Sequence, residues 1–180
     1  MRRLIALALA CMLAACATRA PHAGIELPPL RLPPAALGHD VAAQQRLHFA
    51  FGAQQREMDA LLEVEAGEVR LAVQAMGQTG VRLRWDGKEL TQQRAPWLPS
   101  AVRAERVLDD LQFALWPADA IRRVLPPTWT LREAGNVREL LRDDTVWLSM
   151  EKSEDGRIHL HNRAEGYRLD IESVDSGGVP

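Results

Sequence analysis

Residues 68–87 read EVRLAVQAMGQTGVRLRWDG. Val69, Leu71, Val73 and Ala75 alternate with Arg70, Ala72, Gln74 and Met76. After Gly77-Gln78-Thr79-Gly80, Val81, Leu83 and Trp85 alternate with Arg82 and Arg84. A period of two with one polar face marks antiparallel strands packed on one side only. Gly77–Gly80 supplies the first reversal and Asp86-Gly87 the second. The Asp-Gly pair suits a type I′ hairpin, whose two central positions both need positive φ.

The same pattern extends both ways along the chain. Upstream, Leu47, Phe49 and Phe51 alternate with His48 and Ala50. Downstream come Trp129 and Leu131, then Val146, Leu148 and Met150, then Ile158 and Leu160, then Tyr167, Leu169 and Ile171. Ala66-Gly67-Glu68, Gly135-Asn136, Asp155-Gly156 and Glu165-Gly166 sit where hairpins would turn, so the strands form a meander. One stretch breaks the pattern. Val102, Arg106, Val107, Leu111, Ala114 and Leu115 recur at helical spacing over residues 101–115, with Ser100 as N-cap and Pro117 as the stop. A second helix over 118–125 ends at Pro126-Pro127.

The predicted fold class is mainly β with a helical insertion (α+β). A strongly curved antiparallel sheet, an unclosed β-barrel, is covered by one or two helices over residues 45–174, with a tail at 175–180. One or two helices over a concave apolar face leave it incompletely filled, which is a natural cavity for an apolar ligand. Its expected lining is Phe49, Leu71, Val73, Leu83 and Trp85 from the early strands. Phe113, Leu115 and Trp116 would add the end of the helix, and Leu148 and Leu169 the late strands. The competing reading of each is plain core filling. Trp97, in Ala95-Pro96-Trp97-Leu98-Pro99, and Trp116 are candidates for the cavity mouth.

The N-terminus carries an address. Met1-Arg2-Arg3 precedes twelve uncharged residues, Leu4 to Ala15, which is the charge and length pattern of a secretory signal peptide. Twelve residues span about 18 Å as a helix, short of the ~30 Å hydrocarbon core. The run ends Leu13-Ala14-Ala15-Cys16, which resembles the lipobox of bacterial lipoproteins. The resemblance implies that residues 1–15 are removed and that Cys16 is acylated. Ala17 in place of Asp after it implies passage to the outer membrane, on the periplasmic face. Cys11, after Ala8-Leu9-Ala10, fits the lipobox less well. Loss of Arg2 and Arg3 takes the formal charge from −2 to −4, so acyl chains rather than a basic patch would hold the protein to the membrane. Residues 16–44 are rich in Ala and Pro. They read either as a spacer of up to roughly 80 Å in polyproline II form or as an edge strand docked through Ile25, Leu27, Leu30 and Leu32.

Composition narrows the function. Hydrophobic residues make up 47% and charged residues 26%, an ordinary globular balance, and the slight acidity argues against a nucleic-acid surface. Both cysteines lie in the first sixteen residues, so no disulfide, thiol nucleophile or cysteine-ligated zinc belongs to the domain. His159 and His161 share one face of a strand as a possible metal pair without a clear third ligand, so neither a metal nor another cofactor is expected. Asp109-Asp110 and Asp143-Asp144 read as solvated helix surface and turn. There is no Gly-x-Ser-x-Gly elbow, phosphate loop or His-Glu-x-x-His helix. The chain is therefore expected not to be an enzyme.

Taken together, a lipobox, a Pro-rich segment, a strand meander and a Leu-rich helical insertion resemble the LolA/LolB-like lipoprotein carriers. The chain is most similar to an uncharacterised bacterial lipoprotein family often encoded with aryl-polyene synthesis genes. The resemblance rests on Leu47-His48-Phe49, Gly77–Arg82 with Trp85-Asp86-Gly87, Asp109–Pro117, and Ile158–Asn162 with Tyr167-Arg168-Leu169. It implies an outer-membrane lipoprotein that binds or transfers an apolar, lipid-like molecule or lipidated cargo. LolB uses a loop with an exposed Leu. Here the corresponding turn offers only Met76 and Val81, which implies a different cargo. The alternatives are a periplasmic scaffold with an envelope protein partner, recognisable by Trp97 and Trp116 exposed on one patch, and an envelope hydrolase built on His48, His159 or His161.

Overall fold

The computed structural model describes residues 24–98 and 103–174. Ten strands run β1 (Val41–Phe51), β2 (Gln54–Glu65), β3 (Glu68–Ala75), β4 (Gln78–Trp85), β5 (Leu90–Arg94), β6 (Thr130–Ala134), β7 (Val137–Arg142), β8 (Thr145–Lys152), β9 (Ile158–Asn162) and β10 (Tyr167–Val174). Between β5 and β6 lie α1 (Ala104–Leu115) and α2 (Ala118–Val124). The strands form one sheet in the order β5-β4-β3-β2-β1-β10-β9-β8-β7-β6. Every neighbouring pair is antiparallel, and β1 pairs with β10, so the two ends of the meander meet mid-sheet. β5 and β6 are the edges and do not pair with each other. The fold is thus mainly β, an unclosed and curved antiparallel sheet with a two-helix insertion carrying the chain from one edge to the other.

Three strands have a composition that argues against their form, although Met58, Ala60, Leu62 and Val64 of β2 do alternate inward. β2 reads QQREMDALLEVE, β5 LTQQR and β7 VRELLR, all rich in residues that favour helices. β2 is extended because β1 and β3 pair along both its sides, so ladder hydrogen bonds outweigh a preference of tenths of a kcal/mol per residue. The turns also differ from expectation. Between β3 and β4 only Met76 (φ 51°) and Gly77 (φ 73°) reverse the chain, and Gly80 lies inside β4. Asp86-Gly87 does not form the two-residue turn. Only Gly87 has positive φ, and the loop runs over Asp86–Glu89. The Asp86 carboxylate accepts N–H bonds from Lys88 (2.9 Å) and Glu89 (2.8 Å), which hold its pKa below the usual value. Two-residue turns with both φ positive are instead Met76-Gly77 and, between β7 and β8, Asp143-Asp144.

The segment before β1 is not a spacer along its whole length. Leu27, Leu30, Leu32 and Leu37 are buried in the core, as one expects of four leucines too apolar to leave in water. Leu27, Leu30 and Leu32 run beside α1 without strand pairing, and Leu37 lies in a 3₁₀ turn, Pro34–Leu37, against β2 and β3. Leu32 forms a two-way pair with Gln112, whose Oε1 accepts the Leu32 N–H (2.9 Å) and whose Nε2 donates to the Leu32 carbonyl (2.8 Å). Trp85 Nε1 donates to the same carbonyl (2.7 Å), and Trp116 Nε1 to that of Pro33 (3.1 Å). The packed domain therefore reaches back at least to Leu27, ahead of residue 45.

This docking explains why α1 is buried on more than one side. Leu108, Leu111 and Phe113 are buried, and so are Asp109, Asp110 and Gln112. At its C-terminal end, Arg138 Nη1 donates to the carbonyls of Phe113 (2.6 Å) and Trp116 (2.8 Å), which the helix leaves without intrahelical partners. The helix begins at Ala104, with Arg103 at its cap and no side-chain capping bond. The expected cap Ser100, the signal segment, Cys11, Cys16 and residues 175–180 lie outside the described residues.

Candidate functional site

A cavity of about 90 Å³ separates the sheet from α1. Register builds its floor. Ile171, Leu47 and Met58 stand side by side on β10, β1 and β2, and Ala60, Val73 and Val81 on β2, β3 and β4. Val107 and Leu111 of α1 close it from above. A larger groove of about 560 Å³ adjoins it and shares Phe49, Met58 and Leu98 with it. Phe51, Met76 and Trp97 line this groove, and Met76 is 86% and Trp97 43% exposed. Such exposed apolar side chains beside an apolar interior have the character of a ligand entrance. Gly80 keeps this wall tight. A Cβ there would meet Leu98 Cδ1 at 3.1 Å and Trp97 Cη2 at 3.2 Å, and the Gly80 carbonyl accepts the Ala95 N–H (2.8 Å).

One polar cluster faces this cavity. Asp110 and Tyr167 both line it and both are buried. The Tyr167 hydroxyl donates to Asp110 Oδ2 and accepts from Asn162 Nδ2 (3.0 Å). Asp110 Oδ1 has no hydrogen-bond partner among the described residues. Burial pushes the Asp110 carboxyl up to about 7, against the opposing pull of the Tyr167 bond and the Arg106 charge. Burial also raises the Tyr167 phenol well above its ordinary value, so it stays a donor. Arg103 and Arg106 line the cavity too, but their charges are met by Glu165 at 2.7 and 3.0 Å, and Arg106 also lies 3.6 Å from Asp109. Asp109 is bonded to Arg31 (2.7 Å) and to the Leu30 N–H (3.1 Å), and burial still raises its pKa.

Residues 42–175 match the model of a family described as a protein of unknown function, DUF3261. The chain belongs to this family. No curated protein matches it. The match covers nearly all of β1 through β10 and leaves out Leu27–Leu37, so the DUF3261 segment is the sheet with its helices, and the docked leucines precede it.

Of the expected cavity residues in this DUF3261 chain, Phe49, Leu71, Val73 and Leu169 line the cavity together. Leu83, Trp85, Phe113, Leu115, Trp116 and Leu148 do not line it and pack within or against the core. Trp85 and Trp116 serve as donors to the docked segment, and the Arg138 guanidinium lies 6.0 Å from the Phe113 ring centre. Trp97 borders the groove, whereas Trp116 is fully buried, which corrects its candidacy as a mouth residue. Asp109 and Asp110 are not solvated surface, because the docked segment covers one flank of α1 and the sheet another. Adjacent acids could have been suspected on a helix whose neighbours Leu108 and Leu111 are apolar, but only a second covering layer buries both.

The histidines sit on the outer face. His159 Nδ1 lies 2.8 Å from Asp170 Oδ1 and its Nε2 3.0 Å from Ser153 Oγ. These are the contacts of a Ser-His-Asp relay. However, His159 and Asp170 are about half exposed, so water screens the pair, and Ser153 Oγ also approaches the Arg157 carbonyl of its own turn (3.4 Å). His161 stands opposite Ser149 and Arg168, and partial burial with the Arg163 and Arg168 charges lowers its pKa. His48 lies 3.6 Å from Glu57. Among the described residues, no three His, Cys, Asp or Glu side chains gather as a metal site, and no helix is long and apolar enough to cross a membrane.

Proposed function

We propose that this chain is a lipoprotein of the bacterial outer membrane, anchored through Cys16, that binds an apolar lipid-like molecule between its curved sheet and α1 and passes it on in the periplasm. The observation that carries the reading is the apolar cavity under α1, with its adjoining groove and exposed Met76 and Trp97. The lipobox at Leu13–Cys16 and the LolA/LolB-like order of strands and helices support it. The scaffold alternative asked for Trp97 and Trp116 on one exposed patch, and Trp116 is buried, so that patch does not form. The hydrolase alternative has contacts around His159, but Ser153 does not line the open groove of about 280 Å³ that His159 and Asp170 border.

The chain from Ala17 onward keeps every described residue and hence the whole core. Purified from a bacterial periplasm, it is expected to carry a lipid in native mass spectrometry, or to take one up from solution. Absence of both would remove the reading. In cells, the Cys16→Ser variant is expected to lose labelling by radioactive palmitate. Retained labelling would place the anchor elsewhere.

A further inference from the structure

Gln45, Arg103, Arg106, Asp110 and Tyr167 are the polar residues at the otherwise apolar cavity, and of these Asp110 alone keeps a buried atom, Oδ1, without a partner, which is costly. The Tyr167–Asn162 relay holds this carboxyl by its other oxygen, so Oδ1 is positioned while left unused. We propose that Asp110 Oδ1 is the anchor point for a ligand hydroxyl, and that the cavity takes an uncharged, single-chain amphiphile of the fatty-alcohol or monoacylglycerol class. The inference rests on the apolar-ligand function proposed above and adds the head group to it.

Three observations select a hydroxyl. First, the cations around the cavity already have acidic partners, Arg103 and Arg106 in Glu165, and Arg106 and Arg31 in Asp109, so none is left unpaired for an anionic head. Second, the Asp110 carboxyl titrates near neutrality, so both of its forms are populated there. A hydroxyl donates to the carboxylate and accepts from the acid, whereas a carbonyl satisfies only the acid and a ligand carboxylate is repelled by the ionised form. Third, the free space beside Asp110 is only about 90 Å³, room for a small head, while the adjoining groove of about 560 Å³ offers room for a chain.

The test uses the chain from Ala17 onward and displacement of a bound apolar fluorescent dye by n-decane, 1-decanol and decanoate at neutral pH. The readout is the ratio of decane Kd to decanol Kd, which cancels the shared chain. This ratio is expected to be about tenfold larger in the wild type than in Asp110→Leu, the worth of one well-made buried hydrogen bond. Asp110→Asn, whose amide also donates and accepts, is expected to keep it, and decanoate to bind the wild type more weakly than decanol. A ratio unchanged in Asp110→Leu, with both ligands still binding, would overturn the anchor and leave the apolar site standing. Displacement by none of the three would overturn both. A second measurement needs no variant. In protein labelled at the Asp carboxyl carbon, the Asp110 resonance is expected to shift with decanol and not with decane, and an equal response to the two would overturn the proposal.

Discussion

Replacing Asp110 by asparagine tests the buried carboxyl directly. Its pKa rises from 3.8 to about 7 on folding, mainly through burial. Between those values the unfolded chain has released the proton and the folded one retains it. The unfolded state then binds fewer protons, so stability falls as pH rises. The penalty is absent below about pH 4 and complete above pH 7. At about 1.4 kcal/mol per unit, a shift of about three units amounts to some 4 kcal/mol at most. The asparagine side chain would carry no charge, and its amide oxygen can still accept the Tyr167 O–H, so any geometric cost is the same at every pH. Asp109, Glu165 and Tyr167 are present in both proteins and cancel to first order. Urea unfolding of wild type and Asp110→Asn, followed by tryptophan fluorescence from pH 4 to 8, is expected to show the variant gaining up to about 4 kcal/mol relative to wild type as pH rises. A stability difference independent of pH, or one that shrinks toward pH 8, would refute the reasoning.

Other outcomes follow from the same contacts. Arg138→Met leaves the Phe113 and Trp116 carbonyls without their donor and is expected to destabilise the fold by about 3 kcal/mol in chemical denaturation. A loss under about 0.5 kcal/mol would mean that those carbonyls are satisfied otherwise. Gly80→Val pushes a side chain into Leu98 and Trp97, and is expected to shift Trp97 fluorescence and weaken dye uptake several-fold with a smaller effect on global stability. Unchanged uptake would detach the 97–98 wall from the ligand site. The Ser153–His159–Asp170 relay is expected to be chemically silent, so a fluorophosphonate probe should not label the chain. Labelling that disappears in Ser153→Ala would restore the hydrolase reading.

Sequence alone determined the class of the fold. Alternation at Val69–Ala75 and Val81–Trp85 can satisfy its apolar side chains only in strands with one covered face, and prolines bound the helical interruption. It also carries Leu13–Cys16, which resembles a lipobox, and a resemblance of that kind is read from a linear string without any fold. It missed β2 and β7, whose Glu, Leu and Arg content points to helix, because neighbouring strands supply the hydrogen bonds that decide their form. Within the candidate site, Phe49, Leu71, Val73 and Leu169 were legible from their place in the alternation. Asp110, Tyr167 as its partner, and the docking of Leu27–Leu37 were not. Burial of an acid on a helix depends on what covers that helix, and here the cover comes from residues about 80 positions earlier in the chain, such as Leu32 against Gln112. Local pattern sets which face of an element is apolar. Only the tertiary structure brings a second layer onto the polar flank of α1 and leaves one carboxyl oxygen there without a partner.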